Sequence, residues 1–214
     1  MKRIGNPRKE KLLIIGASGH GKVVADIALK MNKWTGIVFL DDDESITSSI
    51  NLEVIGKTVD AFKYLDECDI FVGIGNNATR KKIHMNLETQ GATIATLIHP
   101  TAVIGEQVEL NYGTVVMAGV VINCSTRVGK GCIINTGATL DHDNLIEDFV
   151  HVSPGAHLAG TVNVGNGSWL GIGSIISNNV KIPSCTKIGA GAVVLRDIDE
   201  PGTYIGVPAR KMNL

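Results

Sequence analysis

Two different spacings of apolar residues divide the chain. Up to about Leu97, short apolar runs alternate with stretches of helical spacing. Residues 12–15 read as a strand ending in Gly16-Ala17-Ser18-Gly19-His20-Gly21, and 22–31 as a helix. Residues 37–40 form a second strand, closed by Asp41-Asp42-Asp43; 70–74 are a third, followed by Gly75-Asn76-Asn77 and a basic helix over about 79–88. Residues 93–97 would be the last strand. Strands alternating with helices predict a parallel sheet in a small Rossmann-like α/β domain, placed over residues 1–98.

After Ile98-His99-Pro100 the period becomes six. From Ile104 in steps of six to Val194, all sixteen positions are aliphatic. Small or β-branched residues precede most of them by two, as in Ala102, Thr114 and Val120, and three residues after them eight of the sixteen are Gly. This is the hexapeptide-repeat pattern of a left-handed parallel β-helix, placed over 99–214 with a C-terminal tail. Three hexads make one triangular coil, the aliphatic side chains point inward, and Gly relieves the corners.

Residues just before the inward positions point outward, and every eighteenth shares a face. Face one reads Val103, Val121, Thr139, His157, Ile175, Val193; face two reads Glu109, Arg127, Leu145, Asn163, Lys181; face three reads Val115, Ile133, His151, Trp169, Lys187. Exposed apolar stripes mark interfaces. Two unlike apolar faces predict a head-to-tail contact, face one on face three of a neighbour, that closes into a trimer.

The charge balance of 20 basic and 21 acidic residues lacks the surplus that nucleic acid binding requires. The four cysteines contain no CxxC pair, and the first apolar run is too short for a signal peptide or a membrane span. The expectation is a cytoplasmic protein without membrane insertion.

The candidate chemistry sits at turns. His142 follows an inward Leu by two residues, at a corner, and Asp143 takes a position that Gly fills in half the rows. An imidazole near its ordinary pKa of about 6.5 accepts a proton at neutral pH, and a carboxylate fixes its tautomer. A solvated corner pair is the alternative. Gly16-x-x-Gly19-x-Gly21 lacks the dinucleotide spacing, but between a strand and a helix it presents N–H groups at a positive helix end, where a pyrophosphate binds. Asp41 and Asp42, at a strand end, could accept from ribose hydroxyls or a base N–H, or be solvated turn residues. Lys187, Arg196, Arg210 and Lys211 are available for anionic groups, with nothing to choose among them.

Together, Gly16-Ala-Ser-Gly-His-Gly, Phe39-Leu-Asp-Asp, Gly73-Ile-Gly-Asn-Asn, the hexads with Asp141-His142-Asp143 and the ending Gly206-Val-Pro-Ala-Arg210 resemble the nucleotide-sugar acetyltransferases of the sialic-acid O-acetyltransferase-like group. The likeness runs toward the UDP-4-amino-sugar N-acetyltransferase of bacillosamine synthesis and the perosamine N-acetyltransferases, and covers nearly the whole chain. It implies acetyl-CoA as donor, the amine of a nucleotide-linked sugar as acceptor, no metal, and a homotrimer with active sites between subunits. It implies His142 as general base with Asp143 as its acidic partner, where the bacillosamine enzyme has Glu. His151, Ile172 and Ala190 would contact acetyl-CoA, Ala190 standing where that enzyme has Gly. Gly19, His20, Gly21, Asp41, Asp42 and Gly75 would contact the nucleotide sugar. The same base would serve O-acetylation of a sugar such as a sialic acid. A zinc hydratase held by His142, His151 and His157, or a sugar-nucleotide sensor without catalysis, are readings from other classes.

Overall fold

A computed structural model describes residues 9–212. Its first part is a three-stranded parallel sheet with Lys11–Ile15 in the middle, flanked by Gly36–Leu40 and Cys68–Val72. Successive side chains of a strand point to opposite faces, and both faces are covered. Leu12 and Ile14 pack with Val24, Ile27 and Ala28 of helix α1 (Gly19–Met31), while Leu13 and Ile15 join Ala61 and Leu87, the latter from helix α2 (Asn77–Thr89). The chain thus turns one way from the central strand to Gly36–Leu40 and the other way to Cys68–Val72. Ligands of open parallel sheets bind at such a switch point, beyond the strand C-termini.

Three sequence expectations shift. Helix α1 starts at Gly19, so Gly19, His20 and Gly21 form its first turn and do not precede it. Helix α2 starts at Asn77, because the Asn76 side chain accepts from Thr79 N at 3.0 Å and caps it. The strand expected at 93–97 shrinks to one bridge between Ile94 and Ile70; the chain then leaves the sheet, and Leu97–Ile98 pairs with Val115–Val116 as the first rung of the second part. A hairpin of Ser48–Ser49 with Leu52–Glu53 and a 3-10 helix, Thr58–Tyr64, carry no apolar period and went unforeseen.

The second part is the expected three-sided β-helix. Sixteen two-residue strands run from Val103–Ile104 to Val193–Val194, each parallel to a strand eighteen residues before or after it. The second residue of each points inward, and from Val116 onward all are at most 3% exposed. Ile104, at the open lower end, remains 36% exposed. The corner residue three beyond has positive φ at every hexad from Gln107 to Gly191, in glycines and non-glycines alike. The coil imposes this conformation, and Gly is the cheapest way to adopt it.

Faces one, two and three are three separate sheets with the expected membership. Face three, however, is not open to a neighbour along most of its length. Val115, Ile133 and His151 are 0%, 1% and 7% exposed because the chain's own α/β part folds back over them. The expected contact of face one with a bare face three is therefore corrected. Face one remains exposed, with Val103 at 59% and Ile175 at 47%.

Candidate active site

His142 stands at the corner between face one and face two, with its side chain half exposed. Its Nδ1 lies 2.8 Å from Asp143 Oδ2. A carboxylate there requires Nδ1 to carry the proton, which leaves Nε2 as an acceptor. The Asp143 hydrogen bond, aided by the charges of Asp141 and Asp143, raises the imidazole pKa above its ordinary value. Asp143 has φ 57°, so the corner conformation turns its short side chain back onto its neighbour.

The corner is held from two sides. Inside the coil, Asn144 Nδ2 and Thr126 Oγ1 both donate to Asp141 O, at 2.7 and 2.8 Å, and Asn144 Oδ1 accepts from Val162 N. Outside, Asn123 Nδ2 donates to Asp141 Oδ1, which also accepts from His142 N. One coil further along the same corner, Gly160 provides the floor for the imidazole: a Cβ there would lie 2.5 Å from His142 Cε1 and Nε2. Asn144 and Gly160 escaped the sequence reading, although an Asn among small and β-branched inward residues was a visible anomaly.

The glycines of the α/β part fall into two kinds. Gly16 has φ 99°, and a Cβ on Gly21 would meet Gly16 O at 1.9 Å, so these two are demanded by the backbone and by packing. Gly19 and Gly75 have neither a positive φ nor a neighbour within 4 Å of the point where a Cβ would stand, alone among the described glycines. Space kept free at two adjacent loops, beyond the ends of the Lys11–Ile15 and Cys68–Val72 strands, is what a ligand needs.

Asp41 and Asp42 both accept hydrogen bonds from backbone N–H groups of the surrounding loops. Asp41 Oδ2 accepts from Ala17 N at 2.7 Å and its Oδ1 from Asp43 N, while Asp42 Oδ1 accepts from Thr58 N. These bonds shape the loops and leave acceptor lone pairs on both carboxylates.

His151 is grouped with His20, Gly75 and a residue the sequence reading passed over, Arg80. Burial foremost, and then the Arg80 charge, lower the pKa of His20 to about 4 and of His151 to about 3. His151 Nε2 lies 3.1 Å from Asn135 Nδ2 and its ring stacks on Trp169 at 4.9 Å. His151 lies against the Gly75 backbone, and His20 Nε2 is buried with no hydrogen-bond partner among the described residues. His157 pairs with Thr139 Oγ1 on exposed face one.

Ile172, 62% exposed, and Ala190 lie eighteen residues apart along the corner between faces three and one. At the C-terminal end, Arg196, Arg210 and Lys211 line a cavity of about 870 Å³, with Lys211 paired to Glu200 at 2.7 Å; Lys187 is not among the lining residues. The His142 corner does not border this cavity. Among the described residues, no group of three or more His, Cys, Asp or Glu could hold a metal ion, and no helix is long and apolar enough to cross a membrane.

One chain therefore assembles two clusters, the open Gly19 and Gly75 loops beside His151 and the His142–Asp143 pair, on different sides of the prism. Residues 11–87 match the PglD N-terminal domain family. The acetyltransferase domain of PglB from Neisseria gonorrhoeae, solved with acetyl coenzyme A, is 40% identical with a TM-score of 0.92, over 95% of this chain and all of that one. PerB from Caulobacter crescentus, solved with CoA and GDP-perosamine, is 35% identical with a TM-score of 0.88, over 94% and 97% of the two chains. GDP-perosamine N-acetyltransferase of Escherichia coli O157:H7 is 26% identical over 78% of each. With both of its parts matched at this identity and coverage, the chain is an acetyltransferase and belongs to the hexapeptide-repeat group of nucleotide-sugar acetyltransferases.

Proposed function

We propose that the protein transfers the acetyl group of acetyl-CoA to the amine of a nucleotide-linked sugar, a UDP-4-amino-4,6-dideoxy sugar by the resemblance in its sequence, with His142 as general base. The observation that carries this reading is the His142–Asp143 pair, whose acceptor nitrogen is left free at an exposed corner. His142 Nε2 takes a proton from the substrate ammonium or attacking amine. The amine nitrogen attacks the thioester carbonyl, the tetrahedral intermediate collapses, and the CoA thiolate leaves with the proton that His142 returns. Cys132 is not an acetyl carrier in this scheme: it is fully buried, and burial pushes its thiol up to about 12. Complexes of the relatives with acetyl-CoA, or with CoA and GDP-perosamine, support the same pair of substrates here.

The nucleotide occupies the Gly19–Gly75 crevice, with His20 and Gly21 in the adjoining helix turn, and Asp41 and Asp42 holding the loops. Ile172 and Ala190 carry the pantetheine along their corner, and His151 lies toward the acetyl end. Because a chain's own His142 stands on another side of the prism from its crevice, a neighbouring chain supplies it. Exposed face one is the surface on which a homotrimer would pack.

Acetyl-CoA consumption assayed with UDP-, GDP- and dTDP-amino sugars, and with free sialic acid, is expected to show turnover on an amino-sugar nucleotide. His142→Ala should lower kcat by about 10²–10⁴. Mixed oligomers of His142→Ala and His151→Ala chains should recover part of the activity. Near-normal turnover by His142→Ala removes the base assignment; absence of any rescue removes the shared site.

A further inference from the structure

Arg80 is 1% exposed, and all five of its N–H groups are used. Nε donates to Gly131 O at 2.7 Å, Nη1 to Ile74 O and Gly75 O at 3.1 and 3.0 Å, and Nη2 to Asn77 Oδ1 and Phe149 O at 2.8 and 3.1 Å. Every acceptor is neutral. A buried cation is ordinarily matched by a carboxylate, and breaking such a match is costly. Among the described residues no carboxylate pairs with Arg80, and its charge is left to neutral acceptors.

The two carbonyls on Nη1 decide where the next N–H groups point. In a trans peptide the C=O and the following N–H are opposed, and the bonds after Ile74 and Gly75 are trans. With Ile74 O and Gly75 O drawn to the guanidinium, Gly75 N–H and Asn76 N–H face away from it. Neither has an acceptor among the described residues. A hydrogen bond from a cation to a carbonyl also polarises that amide and strengthens its N–H as a donor. Beside them is the loop position at which no chain atom comes within 4 Å of a Gly75 methyl site.

We propose that Arg80 is a positioning residue for the sugar nucleotide: from beneath, it ties the Gly75 loop to two corners of the β-helix and aims the Gly75 and Asn76 N–H groups at a phosphate oxygen of the diphosphate. The anion supplies the negative charge that the chain withholds. This rests on the reading of the Gly19–Gly75 crevice as the nucleotide site. It makes Arg80, which touches no ligand, the link between the docking of the two domains and the affinity for the substrate.

Asn76 has φ −67°, the value a proline ring imposes, so Asn76→Pro deletes one donor without bending the chain there. Asn76→Ala loses the same helix cap but keeps the N–H. Titration calorimetry of the full-length chain with UDP, GDP and dTDP, with their nucleosides and with CoA, is the test. The preferred diphosphate should bind the proline variant about tenfold more weakly than wild type. The alanine variant should lose several-fold less, and CoA should bind both alike. Arg80→Gln should also lose about tenfold or more for the diphosphate, with Arg80→Lys between it and wild type. Should Arg80→Gln fail to fold, the Asn76 pair still decides. Equal diphosphate affinity of folded Asn76→Pro and Asn76→Ala, or wild-type affinity in Arg80→Gln, overturns the proposal. A wild-type chain that binds CoA but none of the diphosphates sinks the nucleotide reading, and this proposal with it.

Discussion

Position 143 must satisfy two demands at once. The corner needs a left-handed backbone, and the neighbouring imidazole needs a carboxylate within hydrogen-bond reach. Aspartate meets both, since its short side chain tolerates that conformation and its Oδ2 sits 2.8 Å from His142 Nδ1. Asparagine keeps the backbone but not the charge. Because the carboxylate raises the His142 pKa, the neutral, proton-accepting form prevails only above a pH that lies higher than for a free imidazole. In Asp143→Asn the acid limb of the kcat profile should therefore move to lower pH, while the plateau falls by roughly tenfold. An acid limb that stays put would mean that another group titrates there. The sequence announced this pair by placing a carboxylate where Gly is frequent. It did not announce Asp41 and Asp42 as loop-shaping residues, because a carboxylate at a strand end reads the same whether it accepts from a ligand or from Ala17 N.

At the scale of the element, the β-helix converts a linear period into stacked corners, and the geometry at His142 depends on the coils above and below. His142 rests against Gly160, and its corner hangs from Asn144, which is 1% exposed. Gly160 has no positive φ, so alanine is permitted by the backbone and prohibited only by the imidazole. Gly160→Ala should thus leave the melting temperature within a few degrees but lower kcat, with KM for both substrates little changed. Asn144→Val should instead cost roughly 1–3 kcal/mol by stranding Val162 N and weakening the hold on Asp141 O. Thermal melts and steady-state kinetics on both variants distinguish the two mechanisms. The hexad spacing revealed each inward side chain, since burial in a strict coil is a matter of register. Which residue supports which across eighteen positions follows from register too, but only once side-chain directions are known.

The whole molecule adds what neither scale contains: the α/β part lies back on face three. Arg80 and Asn77 of α2 reach Gly131, Phe149, Gly167 and Ser168 across this junction. The same closure buries His84 and His151 and half-buries His20, and desolvation foremost lowers the pKa values of His20, His84 and His151 to about 4, 4 and 3. The unfolded chain takes up protons on these residues below about pH 6.5, whereas the folded chain resists until about pH 4. The stability that these three neutral imidazoles contribute is then fully present above pH 6.5, and is lost as the pH drops toward 4 for His20 and His84 and toward 3 for His151. Melting temperatures measured from pH 8 to pH 4 should be flat at first and then decline through that window; no decline would contradict the burial of the three imidazoles.

The sequence by itself determined the coil, its three faces, the parallel sheet before it and the corner that bears His142-Asp143, because each is a local or periodic property that repeats until chance is excluded. Tertiary structure alone decided that face three is covered, that Arg80 lies beneath Gly75, and that the Gly75 loop and the His142 corner of one chain stand on different sides of the coil. Those facts depend on how two independently patterned parts meet, and the free energy of that meeting is spread over residues far apart in the chain, with no period to betray it.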